Sequence, residues 1–253
     1  MSMFDLSGKV AIVTGGSRGI GLGIAQALSE AGAAIVVAAT HADQSADAVQ
    51  RLRDAGATAA SVPTNVADPD AALALVDEAV RLFGGVDILV NNAGINIRKR
   101  PEDYTVEEWH QVLSVNLDGP FFCSRAAYPA MKARGGGKII NIASLMSIFA
   151  NEKAAAYGAA KGGLVQLTKA LAVAWAADGI HANAILPGWI DTDLTAGARQ
   201  QLPGLDEAVR ARTPEGRWGT PQDLGGAAVF LASPASDFVT GTTLLVDGGF
   251  AAD

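Results

Sequence analysis

The sequence predicts an α/β fold: a single domain with a doubly wound parallel sheet of the Rossmann type, about seven strands, and helices on both faces. Short apolar runs alternate with longer amphipathic runs along the whole chain. The short runs are continuously apolar, which is typical of parallel strands buried on both faces. The chain has 253 residues, 49% of them hydrophobic, and 29 glycines, which suits close packing of helices on one sheet.

The predicted strands are apolar runs bounded by turn residues. In chain order they are 9–14, 34–40, a run within 58–66, 86–94, 138–144, 180–188 and 242–249. The predicted helices between them are 19–32, 43–56, 68–84, 105–135, 154–178 and 220–233. Ligands of such folds bind at the carboxyl ends of the strands, so we expect the functional site there.

Three local features refine these elements. Asp68 is expected to cap the third helix, with Pro69 in its first turn. The segment 105–135 is expected to be one long helical stretch that bends around Gly119-Pro120. Residues 192–221 are rich in proline, glycine and charge, so we expect a mobile substrate lid there, within a single domain over 1–253.

Composition bounds the function. The net charge of -7 argues against nucleic acid and against an anionic membrane surface as partners. The single cysteine, Cys123, excludes an intrachain disulfide and fits a reducing compartment. The first residues lack the features of a signal peptide, and no apolar run is long enough to cross a membrane. We therefore expect a cytoplasmic protein, and the scattered His41, His110 and His181 predict no metal site.

The stretch TGGSRGIG (14–21) follows the first predicted strand and opens the first helix. Gly15, Gly19 and Gly21 would let the backbone turn tightly and approach a pyrophosphate, which the helix N-terminus stabilises. The alternative is an ordinary glycine-rich turn. Its position in the first βα unit favours the dinucleotide interpretation, and the absence of Gly-Lys-Ser/Thr excludes a Walker A loop.

Tyr157 and Lys161 stand four residues apart in the stretch AAAYGAAKG (154–162), which is otherwise alanine and glycine. They share one helical face, and as an isolated pair they would be a solvated surface contact. Beside a dinucleotide, we expect the Lys161 ammonium to lower the pKa of Tyr157 by about two units. A phenol so tuned exchanges a proton with an alcohol or a carbonyl oxygen near neutral pH.

Taken together, the motifs resemble those of the short-chain dehydrogenase/reductase family. The resemblance extends from Lys9 to Gly249 and includes the gluconate 5-dehydrogenase, 2-deoxy-gluconate 3-dehydrogenase and 3-oxoacyl-acyl-carrier-protein reductase subgroups. The motifs that carry it, in the family's order and spacing, are Thr14-Gly-x-x-x-Gly-x-Gly, Asn91-Asn-Ala-Gly, Asn116, Ser144, Tyr157-x-x-x-Lys161 and Pro187-Gly.

The resemblance implies a catalytic set of Asn116, Ser144, Tyr157 and Lys161. Ser144 would bind the reacting oxygen and stabilise its charge, and Asn116 would hold a water in a proton relay to Lys161. Ser147 is a weaker rival, since it lies only ten residues before the tyrosine. Without the resemblance, Ser144 would be a turn serine and Asn116 a residue at a helix kink.

The resemblance also implies a cofactor site. One of Asn91 and Asn92 would hold the sheet together, and the other would meet the nicotinamide ribose. Thr192 would contact the carboxamide or, alternatively, cap the following segment. The implied cofactor-binding residues are Gly15, Ser17, Arg18, Gly19, Ile20, Gly21, Thr40, Asn65, Val66, Asn92, Ala93, Gly94, Tyr157, Lys161, Pro187, Gly188, Ile190 and Thr192.

NADP(H) is favoured and NAD(H) remains possible. NAD-using relatives have a carboxylate where this chain has Ala39, so nothing there repels a phosphate. Arg18 and Thr40 match residues that contact the 2′-phosphate in NADP-using relatives, with a solvated Arg18 as the alternative. Asn65 also matches those reductases. Asp43 lies close in sequence and keeps NAD(H) open.

The substrate residues are predicted from the loop after the fourth strand. Arg98, Lys99 and Arg100 form a basic cluster that is either a solvated loop or a ligand site. In the gluconate dehydrogenase subgroup an arginine of this loop can bind the sugar-acid carboxylate, and Arg98 is the better match. Only one arginine stands where those enzymes often have two. Met146 and Trp189 would equally suit an apolar ketone.

The predicted function is an NAD(P)-dependent oxidoreductase that interconverts a secondary alcohol and a ketone, with a small-molecule substrate for which a sugar acid is one candidate. A 3-oxoacyl-acyl-carrier-protein reductase is the enzymatic alternative, although its acidic partner would favour a basic docking patch. A non-catalytic dinucleotide sensor is the alternative from another class. The resemblance implies a homotetramer or dimer that pairs through the helices of 105–135 and 155–178 and the last strand.

Overall fold

The fold is a seven-stranded sheet in which every strand pair is parallel. The computed structural model describes residues 2–252, apart from the side chains of residues 200 and 201, so the ends of the expected domain 1–253 lie outside the described residues. The spatial order is β3-β2-β1-β4-β5-β6-β7, and the sequence prediction of a doubly wound sheet is confirmed. The strands are β1 (Val10–Thr14), β2 (Ala34–Ala39), β3 (Ala59–Pro63), β4 (Ile88–Asn91), β5 (Gly137–Ile142), β6 (Ile180–Pro187) and β7 (Thr243–Val246).

Helices connect the strands. Asp68 caps the third of them as expected, because its Oδ1 accepts from the backbone N–H of Asp70 at 2.9 Å, and Pro69 occupies the first turn. The helices are α1 (Gly19–Glu30), α2 (Ala42–Asp54), α3 (Pro69–Phe83), α4 (Val106–Leu113), α5 (Gly119–Ala133), α6 (Ala155–Trp175), α7 (Asp193–Gln201), α8 (Leu205–Arg212) and α9 (Gly225–Ala232).

The core lies on both faces of the sheet, because successive side chains of a strand point to opposite sides. In β1, Ala11 and Val13 pack with α1 and α9 residues such as Ile24 and Leu231. Val10 and Ile12 of the same strand belong to the opposite layer, which includes residues of α3 and α5. Both faces are therefore dry, which explains why the strands are uninterrupted apolar runs.

Two strands end three residues earlier than predicted. The fourth was expected over 86–94, yet β4 ends at Asn91 because the chain turns there toward the glycine-rich segment. Thr14 Oγ1 accepts from the backbone N–H of Asn92 at 2.9 Å and of Ala93 at 3.1 Å. These amides leave the sheet ladder, and the site begins where the strand ends. The last strand, expected over 242–249, is confined to Thr243–Val246.

The segment 105–135 is interrupted earlier than expected. Residues Ser114–Asp118 form a π-helical turn between α4 and α5, just before the predicted bend at Gly119-Pro120. Asn116, in this turn, donates to the backbone oxygens of Val112 and Ile95, both at 2.8 Å. The side chain thereby ties the wide turn to the loop after β4, as π-turns at functional sites often do.

The region 192–221 is not irregular as the sequence suggested. It contains α7 and α8, and the β-bridge between Ile190 and Gly219 closes its base. The charged residues of this region lie at helix ends or form ion pairs. Arg210, for example, pairs with Asp206 at 2.8 Å. Its movement as a lid remains a proposal.

A buried polar network joins β4, β5 and α6. Asn91 Nδ2 donates to Asn141 Oδ1 at 2.9 Å, and Asn141 Nδ2 donates to Thr168 Oγ1 at 2.8 Å. Thr168 Oγ1 donates in turn to the Leu164 carbonyl of α6 at 2.8 Å. All three side chains are buried. The network fixes the register of α6, which carries Tyr157 and Lys161, against the strand ends.

We predict that Thr168→Val lowers the free energy of unfolding by about 1–3 kcal/mol, because it leaves the Asn141 amide buried without its acceptor. Chemical denaturation followed by circular dichroism measures the change. The control is Thr58→Val at an exposed threonine, where we expect a change within about 0.5 kcal/mol. Equal stabilities of the two variants would contradict the structural role of the network.

Candidate active site

The glycine-rich turn between β1 and α1 adopts the backbone that only glycine tolerates well. Gly15 and Gly19 have φ of +61° and +52°. A Cβ on Gly21 would lie 2.3 Å from the Gly15 carbonyl oxygen, so a larger residue cannot follow this path. Asn92 Nδ2 donates to the carbonyls of Thr14 and Gly15 at 2.9 and 3.1 Å. Its amide therefore holds the turn in place.

The surface between this turn and α6 suits a flat anionic ligand. A Cβ on Gly94 would lie 2.7 Å from Asn116 Oδ1 and 3.7 Å from Lys161 Nζ, so the missing side chain leaves both groups within reach of the cleft. Asn116 Oδ1 is buried and has no hydrogen-bond partner among residues 2–252. The first backbone N–H groups of α1 face the same edge. These residues fit a dinucleotide with its pyrophosphate on the turn.

Lys161 is buried beneath the ring of Tyr157. Its Nζ lies 5.7 Å from the ring centroid of Tyr157 and donates to the Ile142 carbonyl at the end of β5, at 2.7 Å. The side chain of Lys161 is 3% exposed, whereas Tyr157 is partly exposed. The expected sharing of one helical face is thus realised at the strand ends.

For the chain without a dinucleotide, the expected direction of the Tyr157 pKa shift is wrong. Burial raises the pKa of Tyr157 above its ordinary value of 10.0, and the Ser144 hydroxyl and the Arg98 charge lower it only in part. Burial also lowers the pKa of Lys161 from 10.5 to about 8. Sequence spacing gives the approach of the two groups but omits their desolvation, which opposes both charged forms.

The other catalytic candidates are brought to the same place. Ser144 lies two residues after the end of β5, and its Oγ accepts from the Met146 N–H at 3.1 Å. Ser147 Oγ donates to the Lys161 carbonyl of α6 at 3.0 Å, so the rival serine serves the helix backbone. Asn116 is fully buried in the π-turn described above. Their catalytic roles remain predictions.

The cofactor candidates lie along the carboxyl ends of β1 to β6. Thr40 and Asn65 are exposed at the ends of β2 and β3, while Val66 and Ile190 are buried. Thr192 is the N-cap of α7, with Thr195 completing a capping box, so the capping alternative is realised. The remaining candidates on this edge are Ser17, Ile20, Ala93, Pro187 and Gly188.

Arg18 is exposed but has a partner. Its Nη1 pairs with Asp193 Oδ2 at 3.1 Å, across 175 residues of sequence. Sequence reasoning missed Asp193, because nothing in the sequence indicates that the first turn of α7 meets the glycine-rich turn. A Cβ on Gly19 would lie 3.4 Å from the Thr192 methyl group, which shows how closely the two segments approach.

The three cations after β4 have different partners. Lys99 pairs with Glu108 at 2.5 Å, and Arg100 pairs with Glu102 at 2.7 Å. Arg98 is half-buried and close enough to Tyr157 for its charge to act on the phenol. Among residues 2–252 no carboxylate pairs with Arg98, and its Nη2 donates to the Leu194 carbonyl at 3.1 Å.

The other two substrate candidates also flank this edge. The Met146 carbonyl lies 3.5 Å from the position that a Cβ on Gly158 would take, beside Tyr157. Trp189 packs edge-on against Trp218, with ring centroids 5.5 Å apart. Trp189 also lines a cavity of about 180 Å³ that contains Arg217 and Asp247. A binding role for Met146 or Trp189 stays a prediction.

Known proteins match the chain over nearly its whole length. A family model described as enoyl-(acyl carrier protein) reductase matches residues 15–251. The 2-dehydro-3-deoxy-D-gluconate 5-dehydrogenase of Bacillus subtilis is 45% identical over 98% of this chain and 96% of that protein. The cis-4-hydroxycyclohexanecarboxylate dehydrogenase of Sinomonas cyclohexanicum is 42% identical over 96% and 97%.

A solved structure shares the fold closely. The gluconate 5-dehydrogenase from Burkholderia cenocepacia, in complex with NADP and tartrate, superposes with a TM-score of 0.95 at 44% identity, over 99% of this chain and 98% of that chain. The chain belongs to the short-chain dehydrogenase/reductase family. As a member it is an oxidoreductase that uses a nicotinamide dinucleotide and acts on CH–OH groups.

The predicted catalytic residues have side chains that suit separate parts of such a reaction. The bound dinucleotide supplies or accepts the hydride. Tyr157 holds its proton at neutral pH and can donate it to a carbonyl oxygen, or take one from an alcohol through its phenolate. Ser144 can donate a hydrogen bond to the same oxygen. Lys161, anchored on the Ile142 carbonyl, has further N–H donors for hydroxyl groups near Gly94.

Among residues 2–252, no helix is both long and apolar enough to cross a membrane. No group of three or more His, Cys, Asp or Glu side chains in that range is arranged to hold a metal ion.

We predict that Lys161→Met stabilises the protein while it removes activity. The pKa of Lys161 is about 8 in the folded chain and 10.5 when exposed, so the unfolded chain binds more protons between these values. The penalty is complete below pH 8 and fades as the pH rises toward 10.5. The gain should be about 1–3 kcal/mol at pH 7 and smaller at pH 10.

Thermal unfolding at the two pH values measures this gain. Lys169→Met is the matched control, because Lys169 is exposed on the same helix and its loss should change stability by no more than about 0.5 kcal/mol. A destabilised Lys161→Met protein at pH 7 would contradict the buried-ammonium account.

Proposed function

We propose that the chain is an NADP(H)-linked dehydrogenase that interconverts a secondary alcohol and a ketone on a substrate with a carboxylate, a sugar acid first among them. The observation that carries the proposal is Arg98. It is the cation of the post-β4 loop that has no carboxylate partner among the described residues, and it acts electrostatically on Tyr157. A carboxylate bound there would place the neighbouring carbon atoms beside the phenol.

The relatives support the same chemistry. The 2-dehydro-3-deoxy-D-gluconate and cis-4-hydroxycyclohexanecarboxylate dehydrogenases are named for compounds that carry a carboxylate and an alcohol or ketone on one molecule. The two carbon skeletons differ, one being an open chain and the other a ring. What they share is the acid group, and Arg98 is suited to bind it.

The absence of a carboxylate at the end of β2 and the nearby positive charge of Arg18 favour NADP(H). The end of β2 has Ala39 and the exposed Thr40 in place of a carboxylate, and Arg18 is within the adjoining glycine-rich turn. The Burkholderia cenocepacia relative was crystallised with NADP, which supports the preference. NAD(H) is the weaker ligand in this proposal.

The acyl-carrier-protein alternative has less support. The chain is acidic overall, with a net charge of -7, while the carrier partner is acidic as well. Lys99 and Arg100, which a docking patch would use, are neutralised by glutamates. The description of the matching family model, enoyl-(acyl carrier protein) reductase, points toward an acyl carrier, but these charges do not support one. A non-catalytic sensor has less support in a chain that retains Ser144, Tyr157 and Lys161.

The proposal includes an assembly, a location and a lid. Exposed apolar side chains on α6 and near β7, namely Val173, Phe238 and Leu245, support a homo-oligomer, a tetramer or a dimer.

A cytoplasmic location fits the lone buried cysteine, Cys123. Residues 192–221, whose first turn contacts Arg18 and Arg98, would move as a lid over the substrate.

A substrate panel tests the function. Sugar acids, hydroxycycloalkane carboxylates, neutral ketones and a 3-oxoacyl thioester are offered with NADPH or NADP⁺ and, in parallel, with NADH or NAD⁺. The nicotinamide absorbance reports turnover. We expect turnover of carboxylate-bearing substrates with the phosphorylated cofactor. Turnover of the thioester alone, or of neutral ketones with no preference for acids, would contradict the proposal.

We predict that Arg98→Ala raises KM for a sugar acid about tenfold or more and leaves KM for a neutral ketone within about twofold, because a charge-assisted contact contributes about 1.5–3 kcal/mol. Steady-state kinetics on both substrates measures the split. Arg100→Ala is the matched control, since Arg100 is exposed and already paired with Glu102. Equal effects of Arg98→Ala on both substrates would remove the carboxylate assignment.

A further inference from the structure

The ion pair between Arg18 and Asp193 joins the glycine-rich turn, where the proposed cofactor binds, to the start of α7. Arg18 precedes α1 in the glycine-rich turn, and Asp193 is the first residue of α7. The contact is a single one, Nη1 to Oδ2 at 3.1 Å, and the two side chains are 64% and 74% exposed. The guanidinium therefore keeps most of its N–H donors for other partners.

The position of Asp193 relative to the end of β2 bears on how Arg18 meets the cofactor. In the sheet, β1 lies between β2 and β4, and β6 lies on the far side of β4 and β5. Asp193 follows β6, whereas Thr40 and the end of β2 lie on the opposite side of the glycine-rich turn. The pair with Asp193 thus draws the Arg18 side chain away from the end of β2, where an adenosine ribose of a doubly wound fold binds.

We propose that Asp193 is a determinant of cofactor selectivity: it competes with the 2′-phosphate of NADP for Arg18 and so moderates the preference for NADP over NAD. The inference rests on the proposed dinucleotide site. A phosphate offers Arg18 a bidentate, more highly charged partner than one carboxylate oxygen. The 2′-hydroxyl of NAD offers no such partner, so Arg18 can stay with Asp193 when NAD binds.

The size of the effect is bounded by the exposure of the pair. Solvent-exposed ion pairs contribute about 0.2–1 kcal/mol, which corresponds to roughly 1.4- to fivefold in an equilibrium constant. We therefore expect a change of about two- to fivefold, largest at low salt.

The test uses adenosine 2′,5′-bisphosphate and adenosine 5′-monophosphate, which differ by the 2′-phosphate and do not involve the catalytic residues. Isothermal titration calorimetry at low salt gives Kd for both. In Asp193→Asn we expect the Kd of the bisphosphate to fall about two- to fivefold, while the Kd of the monophosphate stays unchanged. In the Arg18→Ala background, the same substitution should change neither value.

Two controls separate the pair from its surroundings. Asp191→Asn removes the same charge in the same loop, but Asp191 pairs with Arg199 at 2.8 Å, so the bisphosphate Kd should stay at the wild-type value. Asp193→Glu keeps the charge and should keep the wild-type ratio. Thermal unfolding of each variant confirms that it is folded.

Several outcomes would overturn the inference. One is an unchanged ratio of the two Kd values in folded Asp193→Asn protein. Others are equal tightening of both probes, an effect of Asp191→Asn as large as that of Asp193→Asn, or an effect that persists without Arg18. Failure of the wild-type protein to bind either probe would instead overturn the proposed dinucleotide site.

Discussion

The buried ammonium of Lys161 is the constraint on which the site depends. It is held by one carbonyl, that of Ile142 at the end of β5, and it lies under the ring of Tyr157. Its depressed pKa, about 8, shows that the fold keeps a charge where water is scarce. The network from Asn91 through Asn141 to Thr168 fixes α6 on the sheet, so that this ammonium stays in position.

Around this centre, two arginines from different loops contact the first turn of α7. Arg18 comes from the glycine-rich turn and reaches Asp193, and Arg98 comes from the loop after β4 and reaches the Leu194 carbonyl. Each arginine suits an anionic group, a phosphate in one case and a carboxylate in the other. The start of α7 is therefore in contact with both places where charged ligands are proposed to bind.

The sequence was sufficient for what depends on periodicity and short-range spacing. Uninterrupted apolar runs predicted a sheet covered on both faces, the four-residue step predicted the shared face of Tyr157 and Lys161, and Asp68 with Pro69 marked a helix start. These features depend on local geometry, which residue types largely determine.

The sequence was not sufficient for what depends on distant contacts or on solvent. The early end of β4 follows from a side-chain acceptor on Thr14, 78 residues before Asn92. The π-turn around Asn116 needs the Ile95 carbonyl, and the Arg18–Asp193 pair needs the folded segment 192–221. The direction of the Tyr157 pKa depends on desolvation, which spacing alone does not report.

The central claim is that the Tyr157 phenol moves the proton of the reaction. The most direct test is the pH dependence of alcohol oxidation by wild-type protein and Tyr157→Phe, together with calorimetric binding of NADP⁺ to both. The account predicts a wild-type rate that rises with pH through an apparent pKa above neutral, and a loss of about 10²-fold or more in the variant with cofactor binding retained. A variant that binds NADP⁺ and oxidises the alcohol at the wild-type rate would contradict the account.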